Sequence, residues 1–478
     1  MTGSNLLIVM SDEHQARAMG CAGHPFVQTP NLDALAARGL RFTDAYTPSP
    51  ICVPARASFA TGQPVHVTGL WDNAMPYDGS IPGWGHALQT GGVPVESIGK
   101  LHYRATEDPA GFDVEHLPMH VADGVGMVWA SIRREDERVV QTTGRMLGDY
   151  IGPGTSKYTD YDAAVTDRAR RWFHDRAASG DTRPWCLFVG LVAPHFPLVC
   201  PPEFYDLYPT ADLPPVKLHP KDGHPRHPWV EKQNAMMDSE TKFRDADERL
   251  RAIASYFGLV SWLDHNVGRI LAALQAAGYG DDTTVVYTSD HGDNVGARGL
   301  WGKSNLYQES VAVPLVMAGP GIPVGTCGTA VDLLDLAATI PAHFGQPFDA
   351  PGTPLTDIAA APEDPERAIL SQYHAAGAVS GACMLKKGRW KLNHYVGFAP
   401  ELFDLVGDPE ETTNLAADPA HAGTLAALQS DLRARLDPEG TDARAFADQA
   451  AMIARYGGRE AALQLGAPGA TPPPEIAR

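Results

Sequence analysis

Basic side chains are scarce in this sequence: 38 lysines and arginines stand against 57 aspartates and glutamates, a formal net charge of −19. A general nucleic-acid binder needs a basic face, so the balance argues against that class. It leaves an anionic small substrate open, because a few cations around a metal reverse the local sign whatever the mean. Cysteine is sparse as well. The six, Cys21, Cys52, Cys186, Cys200, Cys327 and Cys383, form no CxxC pair and no repeating spacing. A zinc knuckle is therefore not expected, and a chain of this size needs no disulfide framework. Cys186 sits in the apolar run Trp185–Val189 and reads as a core thiol. Long hydrophobic runs are missing: Leu6–Met10 is far too short to cross a bilayer, so no membrane partner is expected. No basic leader with a small-residue cleavage site precedes it, and the expected location is cytoplasmic. Internal repeats are absent.

What the chain does have is material for a core. Its 478 residues are 44% hydrophobic, enough for one large α/β domain and a smaller one. Leu6–Met10 reads as a strand buried on both faces. Thr29 as N-cap and Pro30 at the first helical position open a helix that Gly39 ends. Arg41–Ala45 follows as a strand, completing a βαβ unit. Further strands are expected at Trp185–Leu191, Thr284–Thr288 and Pro314–Met317, and a long helix over 245–277. These elements predict an open, mostly parallel sheet between helices over residues 1–375. A small α+β domain is expected over 376–440, with a hairpin turning at Lys387-Gly388, a strand at 400–405 and a helix at 424–436. Residues 441–478 read as an extension: a helix at 446–456 that packs on a partner chain, then a flexible tail from Gly466. A homo-oligomer is the expected state.

The sharpest local signal is Cys52-Val53-Pro54-Ala55-Arg56. Pro54 suits the first turn of a helix running to about Thr61, which puts Cys52 at a helix N-terminus, where an anion is favoured. Alone, a five-residue pattern is equally a buried thiol beside a helix start. Other clusters add weight. Asp12 and Glu13 follow the first strand, and Asp290 and His291 follow the strand at 284–288. Ligands in open α/β sheets bind outside the carboxyl ends of strands, so these four are placed to share a metal. Lys100 with His102, His195, and Lys303 follow other apolar stretches. Each alone is an ordinary loop residue; together they offer a cationic ring for a tetrahedral oxyanion.

With those motifs in hand, the chain resembles the formylglycine-dependent sulfatases of the alkaline-phosphatase-like fold. The resemblance rests on Cys52-Val53-Pro54-Ala55-Arg56, Asp12, Gly99-Lys100-Leu101-His102, Pro194-His195-Phe196-Pro197, Asp290-His291-Gly292-Asp293 and Gly302-Lys303. The segment Leu402–Leu415 is similar to the family's C-terminal domain. It implies that a separate formylglycine-generating enzyme oxidises Cys52 to an aldehyde, whose hydrate attacks sulfur. The second hydroxyl then loses its proton and sulfate leaves. It implies one divalent metal, calcium or manganese, held by Asp12, Glu13, Cys52, Asp290 and His291. Arg56, Lys100 and His102 would position the nucleophile, and His102 would accept the proton of the collapse step. Asp290 would act as base toward the attacking hydroxyl, and His195 and Lys303 would grip the sulfate and protonate the leaving oxygen.

Two departures bear on substrate and metal. Many sulfatases carry Asp where this chain has Glu13, and Asn where it has His291. An Asp-His pair resembles the phosphonate monoester and phosphodiester hydrolases of the same family, and imidazole tilts the preference from calcium toward manganese. Gly69–Asn73 resembles a segment of choline sulfatases and phosphonate hydrolases, making Asn73 a candidate substrate contact beside the plain alternative of a polar turn. A quaternary ammonium group would need an aromatic cage, for which Trp71, Trp84, Tyr103 and Trp129 are the candidates. The expected activity is hydrolysis of small aryl or alkyl sulfates, with phosphonate monoesters or phosphodiesters as the alternative. An unconverted, anion-binding protein and a cysteine phosphatase are the remaining readings.

Overall fold

A computed structural model describes residues 4–133, 145–466 and 470–475. Eight strands form the main sheet: β1 (Asn5–Asp12), β2 (Leu40–Phe42), β3 (Val95–Lys100), β4 (Val114–Met119), β5 (Cys186–Pro194), β6 (Thr283–Ser289), β7 (Leu315–Ala318) and β8 (Gly325–Cys327). Their spatial order is β8-β2-β7-β6-β1-β5-β3-β4, and β7 alone runs antiparallel to its neighbours. The protein is thus α/β with a large mixed, mostly parallel sheet, as the strand pattern predicts.

The central strand β1 is buried along its whole length. Leu6, Ile8 and Met10 enter one apolar core, and Leu7 and Val9 enter the other, as the two-residue period of a strand requires. The first core is closed by α2 (Cys52–Thr61) and by a helix at Leu333–His343. The second is closed by α1 (Pro30–Ala37), α3 (Lys157–Ser179) and α4 (Ala246–Ala276). Asp245 caps α4, its carboxylate accepting the Glu248 N–H at 2.7 Å.

Several local expectations are corrected. Thr29 does not cap α1, because its hydroxyl is engaged by Asp33 and Gly20. The free N–H groups of Asn31 and Leu32 donate instead to Asp264 of α4, at 3.2 and 2.8 Å, so a distant carboxylate supplies the cap. The strand expected at 41–45 is split into β2 and a two-residue strand at Ala45–Tyr46. β1 and β2 are parallel but not neighbours, since β6 and β7 lie between them. Helix α3 and strand β4 are elements that the expectations above omit, although Tyr158, Tyr161, Val165, Ala169 and Trp172 carry the helical spacing and are buried.

A second, antiparallel sheet contains β9 (Ala368–Tyr373), β10 (Ala382–Lys387), β11 (Trp390–Tyr395) and β12 (Glu401–Asp404), in that order. The hairpin at Lys387-Gly388 forms as expected, and α5 (Ala422–Arg435) packs on this sheet through Leu428 and Leu432. Helix α6 (Pro438–Arg455) starts eight residues before the expected 446. One face packs on its own chain: Ala445 lies against Val65 and Trp71, and the Gln449 amide bonds Asp72 and the His374 carbonyl. Among the described residues no helix is long and apolar enough to cross a membrane.

Strands β3 and β5 come unusually close where they approach the ligand crevice. Gly99 and Gly190 are register partners, and a Cβ on either would stand 2.1–2.2 Å from a backbone oxygen of the other strand. Lys100 follows at once, so this pair of glycines sets where its ammonium lies. Gly190→Ala is expected to cost at least about 1–3 kcal/mol by overpacking, read as a fall in the chemical-unfolding midpoint; an unchanged midpoint would contradict the close-approach account.

Candidate active site

The crevice outside the carboxyl ends of β1 and β6 gathers acids from two distant stretches of chain. Asp12 ends β1; Asp290 and His291 follow β6. All three are wholly buried. Arg56, one helical turn after Cys52 in α2, runs between the acids. Its Nε donates to Asp290 Oδ2 at 2.8 Å and one amino group to Asp12 Oδ2 at 3.1 Å. The other amino group donates to the Lys100 carbonyl at 3.0 Å, tying in β3. Lys100 itself lies 2.6 Å from Asp12 Oδ2. Burial alone would raise the Asp12 carboxyl, but Lys100, His195, Arg56 and Lys303 hold it well below the usual carboxylate range.

The remaining oxygen, Asp12 Oδ1, takes no N–H among the described residues. Instead it faces Cys52 Sγ at 3.6 Å, His291 Nε2 at 3.9 Å and His195 Nε2 at 4.0 Å. Cys52 Sγ is 3.1 Å from His291 Nε2. Asp12, Cys52, Asp290 and His291 thus present ligand atoms all within 4.8 Å of one another, and every one of these residues is buried. Among the described residues the only partner of His291 Nδ1 is the Gly292 carbonyl, 3.1 Å away, which can only accept. Nδ1 therefore carries the proton, and Nε2 turns its lone pair to the cluster, as a metal ligand requires. The donor set suits a divalent cation: two ionisable oxygens, one imidazole nitrogen and the residue at position 52.

Glu13 is placed differently from the other three expected acid-end ligands. It shares Asp12 in a second close group with His195. Its Oε2 accepts from Lys303 at 3.0 Å, and its Oε1 is buried without a hydrogen-bond partner. Its backbone adopts φ 73°, held by its N–H on Asp290 and by the Tyr256 hydroxyl on its carbonyl. Burial raises its carboxyl well above the usual range, although Lys303 opposes this.

Helix α2 begins at Cys52 and ends at Gly62, and it is buried throughout. The Val53 N–H, one of the free donors of the first turn, bonds the Asn73 side-chain oxygen at 3.1 Å. Asn73 therefore caps helix α2 as well as lining the cleft. Burial, with Asp12 adding to it, pushes the Cys52 thiol up to about 12. Around it, Lys303 keeps its charge, because Cys52, Glu13 and Asp12 more than offset its burial. Burial drives both His102 and His195 well below their ordinary value of 6.5, helped by Lys100 at the first and Lys303 at the second. Both rings are neutral in the resting site.

A cleft of about 870 Å³ leads to this cluster. Cys52, Asn73, Lys100, His102, His195 and Lys303 all line it. Its outer wall is apolar and rich in methionine, with Met127, Met146, Met236 and Met237 beside Tyr158, Phe196 and Trp301. The four aromatic residues available for a cage do not converge on the cleft. Trp71, Trp84 and Tyr103 are committed to packing elsewhere, against His374, Phe59 and Tyr77, while Trp129 packs beside Met236. The expected free tail is corrected as well: Ala470 and Thr471 form part of the cleft wall. Composition hid this, because Gly- and Pro-rich sequence has no periodicity to betray a docked segment. Tyr158, Met236 and Met237 were missed for a related reason, since buried apolar residues read as core until the cleft is seen.

A metal-capable cluster, a residue at a helix N-terminus and a ring of cations, all at the carboxyl edge of one sheet, define a hydrolase for esters of tetrahedral oxyanions. Sequence comparison then resolves the family. The model for Sulfatase matches residues 4–346, and the model for the C-terminal region of N-sulphoglucosamine sulphohydrolase matches residues 296–437. A choline-sulfatase of Rhizobium meliloti (strain 1021) is 33% identical over 463 residues, covering 93% of this chain and 89% of that protein. Arylsulfatase K of Bos taurus is 28% identical over 459 residues, covering 86% and 78%. Phosphonate monoester hydrolase SpPMH from Silicibacter pomeroyi has the same fold, with a TM-score of 0.73 at 25% identity over 91% of this chain and 96% of that one. This chain belongs to the sulfatase family and is a sulfuric ester hydrolase.

A cation held by the Asp12 cluster must stabilise the fold. At a hundred times its Kd, manganese or calcium is expected to add about 2.7 kcal/mol, read as a rise in melting temperature over the chelator-treated protein. In Asp12→Asn that rise is expected to shrink sharply; an equal rise in both proteins would place the ion elsewhere.

Proposed function

We propose that this sulfatase cleaves small aryl or alkyl sulfate monoesters with residue 52 in its formylglycine form. The carrying observation is the position of Cys52 Sγ, 3.1 Å from His291 Nε2 and 3.6 Å from Asp12 Oδ1, at the head of α2 and in the wall of the cleft. Burial pushes the Cys52 thiol up to about 12, which makes it a poor nucleophile at neutral pH and speaks against the cysteine-phosphatase reading. Asp12, Asp290 and His291 would hold the divalent ion, which lowers the pKa of a nucleophilic hydroxyl and offsets charge on the ester. His291 favours manganese over calcium in that role.

The protein's own groups divide the remaining work. Arg56 and Lys100 fix the Asp12 carboxylate and keep it ionised. Lys303 and His195 stand on the Glu13 side, where the ammonium meets a sulfate oxygen and both groups reach toward the leaving oxygen. Asp290 is the candidate base toward the attacking hydroxyl. Neutral His102 is the candidate proton acceptor for the collapse that releases sulfate. The methionine-rich wall adapts to apolar groups of varied shape, which supports small aryl or alkyl leaving groups.

Hydrolysis of phosphonate monoesters or phosphodiesters is the second reading. It is favoured by the His291 ligand and by the fold shared with a phosphonate monoester hydrolase.

Protein produced together with its maturation enzyme is expected to show a higher kcat/KM on aryl sulfates than on matched aryl phosphodiesters; the reverse order would establish the second reading. Cys52→Ala is expected to lose all measurable turnover while keeping its circular dichroism, and near-parental activity would refute the nucleophile. Because the His102 pKa lies below 6.5, the acceptor form persists as pH falls through that value. The acid limb of kcat is therefore expected below pH 6.5, and a limb above it would remove His102 from the step.

A further inference from the structure

The described residues of the C-terminal segment make polar contacts with the catalytic groups. Thr471 Oγ1 lies 2.8 Å from His102 Nε2, and Thr471 is buried. The Thr471 carbonyl accepts a hydrogen bond from the Tyr158 hydroxyl. Tyr158 in turn meets the His195 ring edge-on, at 5.8 Å between centroids and 72°. One residue near the end of the chain therefore touches one candidate catalytic imidazole directly and a second through a tyrosine.

The described residues on either side of 467–469 are closely fitted to the site. Gly466 passes so close to the Gly126 carbonyl that a Cβ on it would stand 1.5 Å away. Gly126 is pressed just as closely on the Asn73 carbonyl, with its own Cβ position 1.9 Å from that oxygen. Asn73 caps α2, so the backbone of the extension is layered onto the residue that supports position 52. Ala470 packs beside apolar residues of two core clusters. After Thr471 come Pro472, Pro473 and Pro474, which lack N–H donors and restrict the backbone, so little ordering entropy opposes docking.

His102 needs such support. It sits at φ 61°, an uncommon conformation for a non-glycine residue, and its Nδ1 is buried without a partner. Thr471 Oγ1 is the only hydrogen-bonding partner of its ring among the described residues. A hydroxyl can donate to or accept from Nε2, so it can follow the ring through a proton transfer without losing the contact.

We propose that Thr471 is a positioning residue for the reaction, its hydroxyl fixing the orientation of the His102 ring. The C-terminal segment is on this account an integral wall of the active site. The proposal rests on the role given to His102 above.

The test compares full-length parent, Thr471→Val and Thr471→Ser, each matured with its formylglycine-generating enzyme and loaded with manganese. Valine keeps the shape and removes the hydroxyl; serine keeps the hydroxyl. The expected result is a fall in kcat of about tenfold in the valine variant, with KM within about twofold, and recovery in the serine variant to within about threefold of the parent. Long-range nitrogen–proton spectra of the histidine rings, with His102 assigned through His102→Gln, supply a readout that does not depend on turnover. They are expected to show one set of His102 ring signals in parent and serine variant and a shifted or doubled set in the valine variant. Parental kcat in the valine variant, an equal loss in both variants, or an unchanged His102 spectrum would overturn the proposal. If the parent cleaves no sulfate ester, the functional reading fails instead, and the spectra still decide whether Thr471 holds the ring.

Discussion

Arg56 is wholly buried, and its guanidinium spans Asp12 at the end of β1 and Asp290 just beyond β6 while also holding the carbonyl of Lys100 on β3. Two carboxylates buried side by side would repel and one would neutralise. The planar fork of arginine satisfies both at once, with its charge kept by them despite desolvation. Helix α2 is thereby locked against the sheet, and Cys52, four residues earlier on the same helix, has its place fixed. Everything else in the site is arranged around that clamp.

The clamp also divides the Asp12 carboxylate. Oδ2 is consumed by Arg56 and Lys100, which leaves Oδ1 for the cluster with Cys52 and His291. Three carboxylates, Asp12, Glu13 and Asp290, stand close to three fixed cations, Arg56, Lys100 and Lys303. A divalent ion added to this near-balance makes the crevice locally positive within a protein of net charge −19. That is how an acidic protein receives an anionic ester: the substrate feels the field of a water-poor cleft, where nearby charges outweigh distant ones. The rings of His102 and His195, kept neutral by burial, add nothing to the fixed charge.

Much of this was legible in the chain because it is local. A strand buried on both faces declares itself as an apolar run, and Asp12 and Asp290 follow such runs directly. The position of Cys52 at the first residue of α2 and the stop at Gly62 follow from Pro54 and a glycine that adopts φ 65°. What was not legible depends on partners far away in sequence. Thr29 has the right identity for a cap, yet Asp264, more than two hundred residues later, does that work. The four aromatic residues proposed as a cage are spread among separate packing clusters, because aromatic content says nothing about which rings converge. Helix α6 sets one face against Trp71 and Asp72, more than three hundred residues earlier in the chain, a contact that its own spacing does not announce.

The sequence by itself determined the fold class, the family and the chemical types at the crevice, since these rest on short motifs whose residues are covalently close. Only the tertiary structure decided how those residues share their bonds: which oxygen of Asp12 is left for a cation, that Glu13 turns to Lys303, that Asn73 supports the start of helix α2. It alone brought Thr471, near the chain's end, to His102. The physical reason is that hydrogen bonds between side chains hundreds of residues apart are chosen by the packing of the sheet and helices that carry them, and no spacing along the chain encodes that choice.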